Sequence, residues 1–169
     1  MKAGLLRNGM VLDLNGKVVQ VIEFEHLPDD RINVKAKNPL SGQREVLQFN
    51  ANDELTEIRF ESTTASYLYK EDGMYHFMDE TSYDQVAVEN TVIPEYFEYV
   101  AEGTDCILKM YKGRIYEVIP PRRSIIEVTG VKNGIATLET GAEIKVSRPV
   151  EAGNQIVIDT VLGEFLEVY

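Results

Sequence analysis

Short, apolar-rich segments separated by two- and three-residue turns run through this chain from end to end, and that rhythm limits the fold more than any other feature. VLDL (11–14) meets Asn15-Gly16, the strongest short signal for a hairpin. KVVQVIEFEHL (17–27) follows, rich in β-branched and aromatic residues with rough alternation. A polar tip then leads to INVKAK (32–37), a turn cluster NPLSGQ (38–43), and REVLQF (44–49). So many strands in about fifty residues predict a small closed or nearly closed β-barrel.

ANDEL (51–55) is polar and reads as a joint. A second unit follows, with TEIRFESTTASYLYK (56–70), the turn EDG (71–73), MYHFMD (74–79) and YDQVAV (83–88). PEYFEYVAEG (94–103) is the best helix candidate, with Pro94 near its start and Gly103 at its end. DCILKMY (105–111), Lys112-Gly113 and RIYEVI (114–119) complete the unit. Two prolines in PPRR (120–123) cannot continue a central strand and mark a second joint. The last unit is again β: SIIEVTGV (124–131), a single run IATLETGAEIKVSRPV (135–150), QIVIDT (155–160) and GEFLEVY (163–169). The expectation is an all-β protein of three small barrels, over residues 1–60, 61–121 and 122–169, with the second and third of the OB type.

Charge restricts the function. The formal net charge is −11, which opposes sequence-blind binding to free nucleic acid. The acidity is uneven: 8 basic and 9 acidic residues in 1–60, 4 and 12 in 61–121, 5 and 7 in 122–169. The outer units are therefore near neutral and the middle one carries the negative charge. No apolar run reaches membrane-spanning length, the first sixteen residues lack a signal-peptide core, and the single Cys106 has no internal partner; together these point to a cytoplasmic protein.

Catalytic constellations are missing from the pattern. His26 beside Asp29 and Asp30 lacks a second ligand-spaced histidine, so no metal site is expected. His76 alternates with aromatics in a strand, and Cys106 precedes an apolar strand without a histidine partner. Neither a Gly-rich phosphate loop nor a GxSxG elbow is present. The expectation is a non-enzyme with no cofactor and no small-molecule substrate. Tyr67, Tyr69, Tyr75 and Tyr83 suit core packing better than base stacking.

YLYKEDGMYHFMDETSYDQ (67–85) is similar to a hairpin in the middle domain of bacterial elongation factor P. RNGMVLDLNGKVVQVIEFEHL (7–27) and NPLSGQ resemble that family's first hairpin and the turn between its strands. ATLETGAEIKV (136–146) and EAGNQIVIDTVLGEF (151–165) resemble its C-terminal domain. The resemblance runs in order along nearly the whole chain. It implies an N-terminal SH3-like barrel and two OB-fold domains in an L shape. It also implies a monomer that binds the ribosome beside the peptidyl-tRNA and promotes peptide-bond formation at consecutive prolines, positioning reactants while the ribosome supplies the chemistry.

By that resemblance the first-domain hairpin tip, Pro28, Asp29, Asp30 and Arg31, faces the peptidyl-tRNA. The family carries proline-glycine and then a lysine or arginine there. This tip is about three residues shorter, which at the rise of an extended strand shortens the finger by roughly 5 Å. Arg31 is the tip residue expected to touch RNA, and Lys35, Lys37, Arg122 and Arg123 are candidate phosphate contacts. GVKNGIAT (130–137) is shorter than the family's Gly-rich loop and lacks its lysine-proline pair; Val146-Ser147 stands where the family has valine-proline. An alternative reading is therefore a divergent paralogue, a protein- or RNA-binding module without activity at the peptidyl-transferase centre.

Overall fold

The computed structural model describes residues 1–169. Its first sheet contains β1 (Val11–Leu14), β2 (Lys17–Leu27), β3 (Arg31–Lys37), β4 (Arg44–Asn50) and β5 (Thr56–Glu57), in the order β4-β3-β2-β1-β5. Leu14 pairs with Lys17, so Asn15-Gly16 is a two-residue turn. Both turn residues have positive φ, 56° and 93°, which explains why Asn and Gly stand there. Alternation then divides the sheet into two faces. Ile32, Val34 and Ala36 of β3 are fully buried with Leu12, Val19 and Val21, while Arg31 and Lys35 face solvent.

One irregularity sets the outer face. β2 bulges at Ile22, so Val21 lies opposite Ala36 and Glu23 opposite Lys35. The extra residue lets Val21 and Phe24 both pack against the core and turns Glu23 outward.

Residues 51–55, expected as a joint, lie within this first sheet. They link β4 to β5, and β5 pairs with β1 through Leu12–Glu57 and Asp13–Thr56. Their backbone is tied to the amino-terminal segment by Ala3 N to Asp53 O (2.9 Å), Gly4 N to Ala51 O (2.9 Å) and Leu55 N to Met1 O (2.7 Å). Leu55 is buried in the core. Composition alone suggested a linker; these long-range bonds make it a closing turn.

The second sheet contains β6 (Glu61–Glu71), β7 (Met74–Asp79), β8 (Gln85–Glu89), β9 (Asp105–Tyr111) and β10 (Arg114–Ile119), in the order β10-β9-β6-β7-β8. Aromatic rings dominate its core. Phe77 is fully buried, with the Tyr67 ring centroid 5.5 Å away and the Phe97 centroid 6.1 Å away. Burying such a ring contributes about 1.5–3 kcal/mol. The expected helix at 94–103 is only a five-residue 3-10 turn, Glu95–Tyr99. Pro94 and Val100 flank it in extended backbone, and no side chain caps its start. Phe97 and Val100, three residues apart, both enter the core, a spacing that matches three residues per turn.

The third sheet contains β11 (Arg123–Lys132), β12 (Ile135–Leu138), β13 (Glu143–Lys145), β14 (Gln155–Asp159) and β15 (Glu164–Val168), in the order β13-β12-β11-β14-β15. The run 135–150 is therefore not one strand. It reverses between β12 and β13, where Gly141 has φ 90° and its amide bonds Leu138 O. Ile126, Val128, Leu138, Ile144, Ile156 and Ile158 form the core, and Tyr99 and Ala101 pack onto it.

The chain separates into two compact units, Met1–Glu61 with Met110–Tyr116, and Ser62–Lys109 with Glu117–Tyr169. In the first unit Asp13 accepts hydrogen bonds from the Tyr111 hydroxyl (2.8 Å) and the Gly16 amide (2.7 Å), with Lys112 Nζ at 3.4 Å. The Tyr111 hydroxyl, then the Gly16 amide, hold its carboxyl below the ordinary range. No helix is long and apolar enough to cross a membrane.

Candidate nucleic-acid interface

Leu27 pairs with Arg31 across the β2–β3 hairpin, leaving Pro28, Asp29 and Asp30 as the connection. Both aspartates take left-handed backbone, φ 65° and 56°. Asp is one of the few non-glycine residues that enters this region readily, because its short polar side chain bonds locally. The tip does not project freely. Arg31 is level with Asn50, the last residue of β4, and Ala51 N donates to Asp30 O at 2.7 Å. The turn after β4 is itself fixed by Asn50 N to Asp53 Oδ2 at 2.8 Å. The finger thus ends flush with its neighbouring strand and is braced from one side. All four tip side chains are exposed.

Below the tip, β3 directs Arg31, Asn33, Lys35 and Lys37 to the outer face. Side chains two residues apart on one face are about 6.6 Å apart. Lys35 Nζ lies 2.7 Å from Glu23 Oε1, the partner supplied by the bulge. That carboxylate raises the Lys35 pKa, while Lys35 lowers that of Glu23, so both remain charged and paired. Lys35 therefore reaches a phosphate only by leaving Glu23. Lys37 lies opposite Arg44, which the sequence reading passed over. The outward alternation of REVLQF was the signal: Arg44, Val46, Gln48 and Asn50 are all exposed. Arg31, Lys37 and Arg44 form the cationic part of this face, with Glu25 as the further acid on β2.

Three comparisons bear on what such a tip belongs to. Residues 60–118 match the elongation factor P OB domain, and residues 127–167 match the elongation factor P C-terminal domain. An elongation factor P of Finegoldia magna is 32% identical over 181 residues, covering 98% of each chain. The chain belongs to the elongation factor P family. An elongation factor P of Acetivibrio thermocellus is 31% identical over 182 residues, covering 99% of this chain and 98% of its own. Among solved structures, eukaryotic translation initiation factor 5A from Methanococcus jannaschii shares the fold, with a TM-score of 0.57 at 16% identity over 70% of this chain and 94% of its own.

Elongation factor P is a non-enzymatic translation factor, and the remaining candidate residues occupy structural settings. His26 lies edge-on to Phe24, with ring centroids 5.6 Å apart. His76 stacks on its cross-strand partner Tyr69 at 4.5 Å. Cys106 is buried and its thiol is pushed up to about 12, by burial first and by Asp105 second. Tyr67 lies in the core and Tyr75 is half-buried, whereas Tyr83 is 72% exposed.

The third-sheet candidates differ from each other. Arg122 Nε lies 3.1 Å from Asp159 Oδ2, an acid also held by the Leu162 amide at 2.9 Å. Arg123 begins β11 with an exposed side chain. The β11–β12 connection is only Asn133-Gly134, since Lys132 pairs with Ile135. No long loop therefore joins these two strands in this chain.

Proposed function

We propose that this chain acts on the ribosome as an elongation factor P, close to the peptidyl-tRNA, and that it promotes peptide-bond formation, including at proline-rich stalls. It works in the cytoplasm as a monomer built of three barrels, residues 1–60, 61–121 and 122–169. The observation that carries this reading is the end-to-end similarity to curated elongation factor P chains, 98% of both partners in one case. The β2–β3 tip faces the peptidyl-tRNA, and Arg31, Lys37 and Arg44 meet phosphate oxygens. Arg123 makes the corresponding contact from the third sheet. Lys35 and Arg122, each already paired with an acid, contribute less. The contribution is positional, and the ribosome supplies the chemistry.

The experiment is synthesis of a polyproline reporter with and without the protein, paired with ribosome cosedimentation over a range of salt. Rescue that falls in Arg31→Ala supports the reading. Absence of both rescue and cosedimentation rejects it. A second reading is favoured by one feature, the braced tip with two carboxylates: a family member that binds the ribosome or a structured RNA without stimulating peptide transfer. Cosedimentation without rescue selects it.

A further inference from the structure

The second unit contains an open cavity of about 360 Å³ whose walls combine aromatic rings with carboxylates. Tyr67, Tyr75 and Phe97 supply the rings, and Glu98, Glu102 and Glu139 the acids. The rings are held rigidly: Tyr75 lies 5.3 Å from Phe97 at 89°, and Tyr67 lies 4.9 Å from Phe97 at 72°. The third sheet is pinned to the rim, because Thr140 Oγ1 donates to Glu98 O at 2.6 Å.

Two independent features point to the kind of ligand. Tyr67 lines the cavity and is only 6% exposed, yet its hydroxyl makes no hydrogen bond within the protein. Burial, followed by the charges of Tyr75 and Glu102, pushes this phenol up to about 12, so it stays neutral and its oxygen is free to accept. The cavity also already holds a cation of the chain's own: Lys70 Nζ lies 5.1 Å from the Tyr75 ring centroid. One ammonium faces three carboxylates, and the walls remain net negative.

We infer that this cavity is a binding site for an alkylammonium group, held by the Tyr75 face, the Tyr67 hydroxyl and the carboxylates of Glu98 and Glu102, with Lys70 as its internal competitor. An ammonium has three donors and no acceptor, so a lining with three carboxylates, a phenol oxygen able to accept and an aromatic face complements it once Lys70 is displaced. The group is either the end of a free polyamine or the side chain of a lysine on a partner. The site uses no residue of the β2–β3 tip and stands apart from the ribosomal reading above.

The test is a titration of the intact, isotopically labelled chain with putrescine and, separately, with Nα-acetyl-lysine N-methylamide, followed by NMR. Sodium chloride at matched ionic strength is the control. The expected result is saturable shifts confined to the amides around Tyr67, Tyr75, Glu98, Glu102 and Glu139. Glu98→Gln with Glu102→Gln weakens binding roughly fivefold, and Lys70→Gln tightens it roughly threefold by freeing the ring. Glu57→Gln, exposed in β5 of the other compact unit and not among the residues lining the cavity, leaves it unchanged. Binding of putrescine alone identifies a free polyamine as the ligand; binding of the lysine amide as well identifies a side chain. Shifts that sodium chloride reproduces, shifts centred elsewhere, or a Lys70→Gln chain that binds no more tightly would overturn the inference.

Discussion

Replacing Asp29 and Asp30 together by Asn isolates the charge of the tip from its shape. Both residues hold left-handed backbone, φ 65° and 56°. Asn tolerates that region as Asp does, whereas Ala at both positions would add about 1–2 kcal/mol of strain per residue. The Asn pair should therefore change folding stability by less than about 0.5 kcal/mol. The formal charge of the tip moves from −1 to +1, with Arg31 retained. Because Pro28–Arg31 is exposed, the dielectric of water applies. A carboxylate ~8 Å from a phosphate then repels it by about 0.5 kcal/mol, so the two together are worth about 1 kcal/mol. Physiological salt, with a Debye length near ~8 Å, leaves roughly a third of that. Ribosome binding should tighten about sixfold in the low-salt limit and about twofold at physiological salt. Cosedimentation at graded salt measures the first quantity, and a polyproline reporter shows whether tighter binding carries through to synthesis. A double variant that binds no better at low salt would refute the placement of this tip beside phosphate.

Three further outcomes follow from the second unit. Gly163 has φ 65°, and a Cβ there would sit 3.1 Å from Tyr99 Cε2, so Gly163→Ala should cost about 1–2 kcal/mol, read as a lowered urea midpoint. The Leu162 amide, aided by Arg122, holds the Asp159 carboxyl below the ordinary carboxylate range. Its stabilisation is thus fully present above the unfolded pKa and lost as pH falls through the lower folded value; Asp159→Asn should be destabilised at pH 7, with the gap in urea midpoint closing as pH drops below about 4. Cys106, buried with its thiol pushed up to about 12, should resist iodoacetamide at pH 8 in the folded chain and react once urea unfolds it, as mass spectrometry would record.

The strands were the most legible part of this chain, for a local reason. β2, β7, β9 and β10 have the bounds that strand-forming composition and flanking turns give them, because residue preference and Asn-Gly, Asp-Gly or Lys-Gly turns act within a few residues. What sequence could not provide was partnership at a distance. Thr56–Glu57 pairs with β1, more than forty residues earlier, and nothing in its composition separates it from β6. The 3-10 turn at Glu95–Tyr99 satisfies the same Phe97 and Val100 spacing as a helix would, so periodicity alone could not distinguish them. At the candidate site, the identity and exposure of Pro28–Arg31 were readable. The Ala51 brace was not, because it rests on a bond spanning twenty-one residues. Nor was the Glu23–Lys35 pair, which depends on the bulge at Ile22 shifting the register by one.

A tip held short and flush with β4 is what separates this chain from one that presents a long basic finger. Amide hydrogen exchange at Ala51, followed by NMR in the intact protein, tests it at a single N–H. If the 2.7 Å bond to Asp30 O holds, Ala51 should exchange as slowly as the β3–β4 amides beside it. Exchange at the rate of an unprotected loop, with no contact between Arg31 and Asn50, would contradict it.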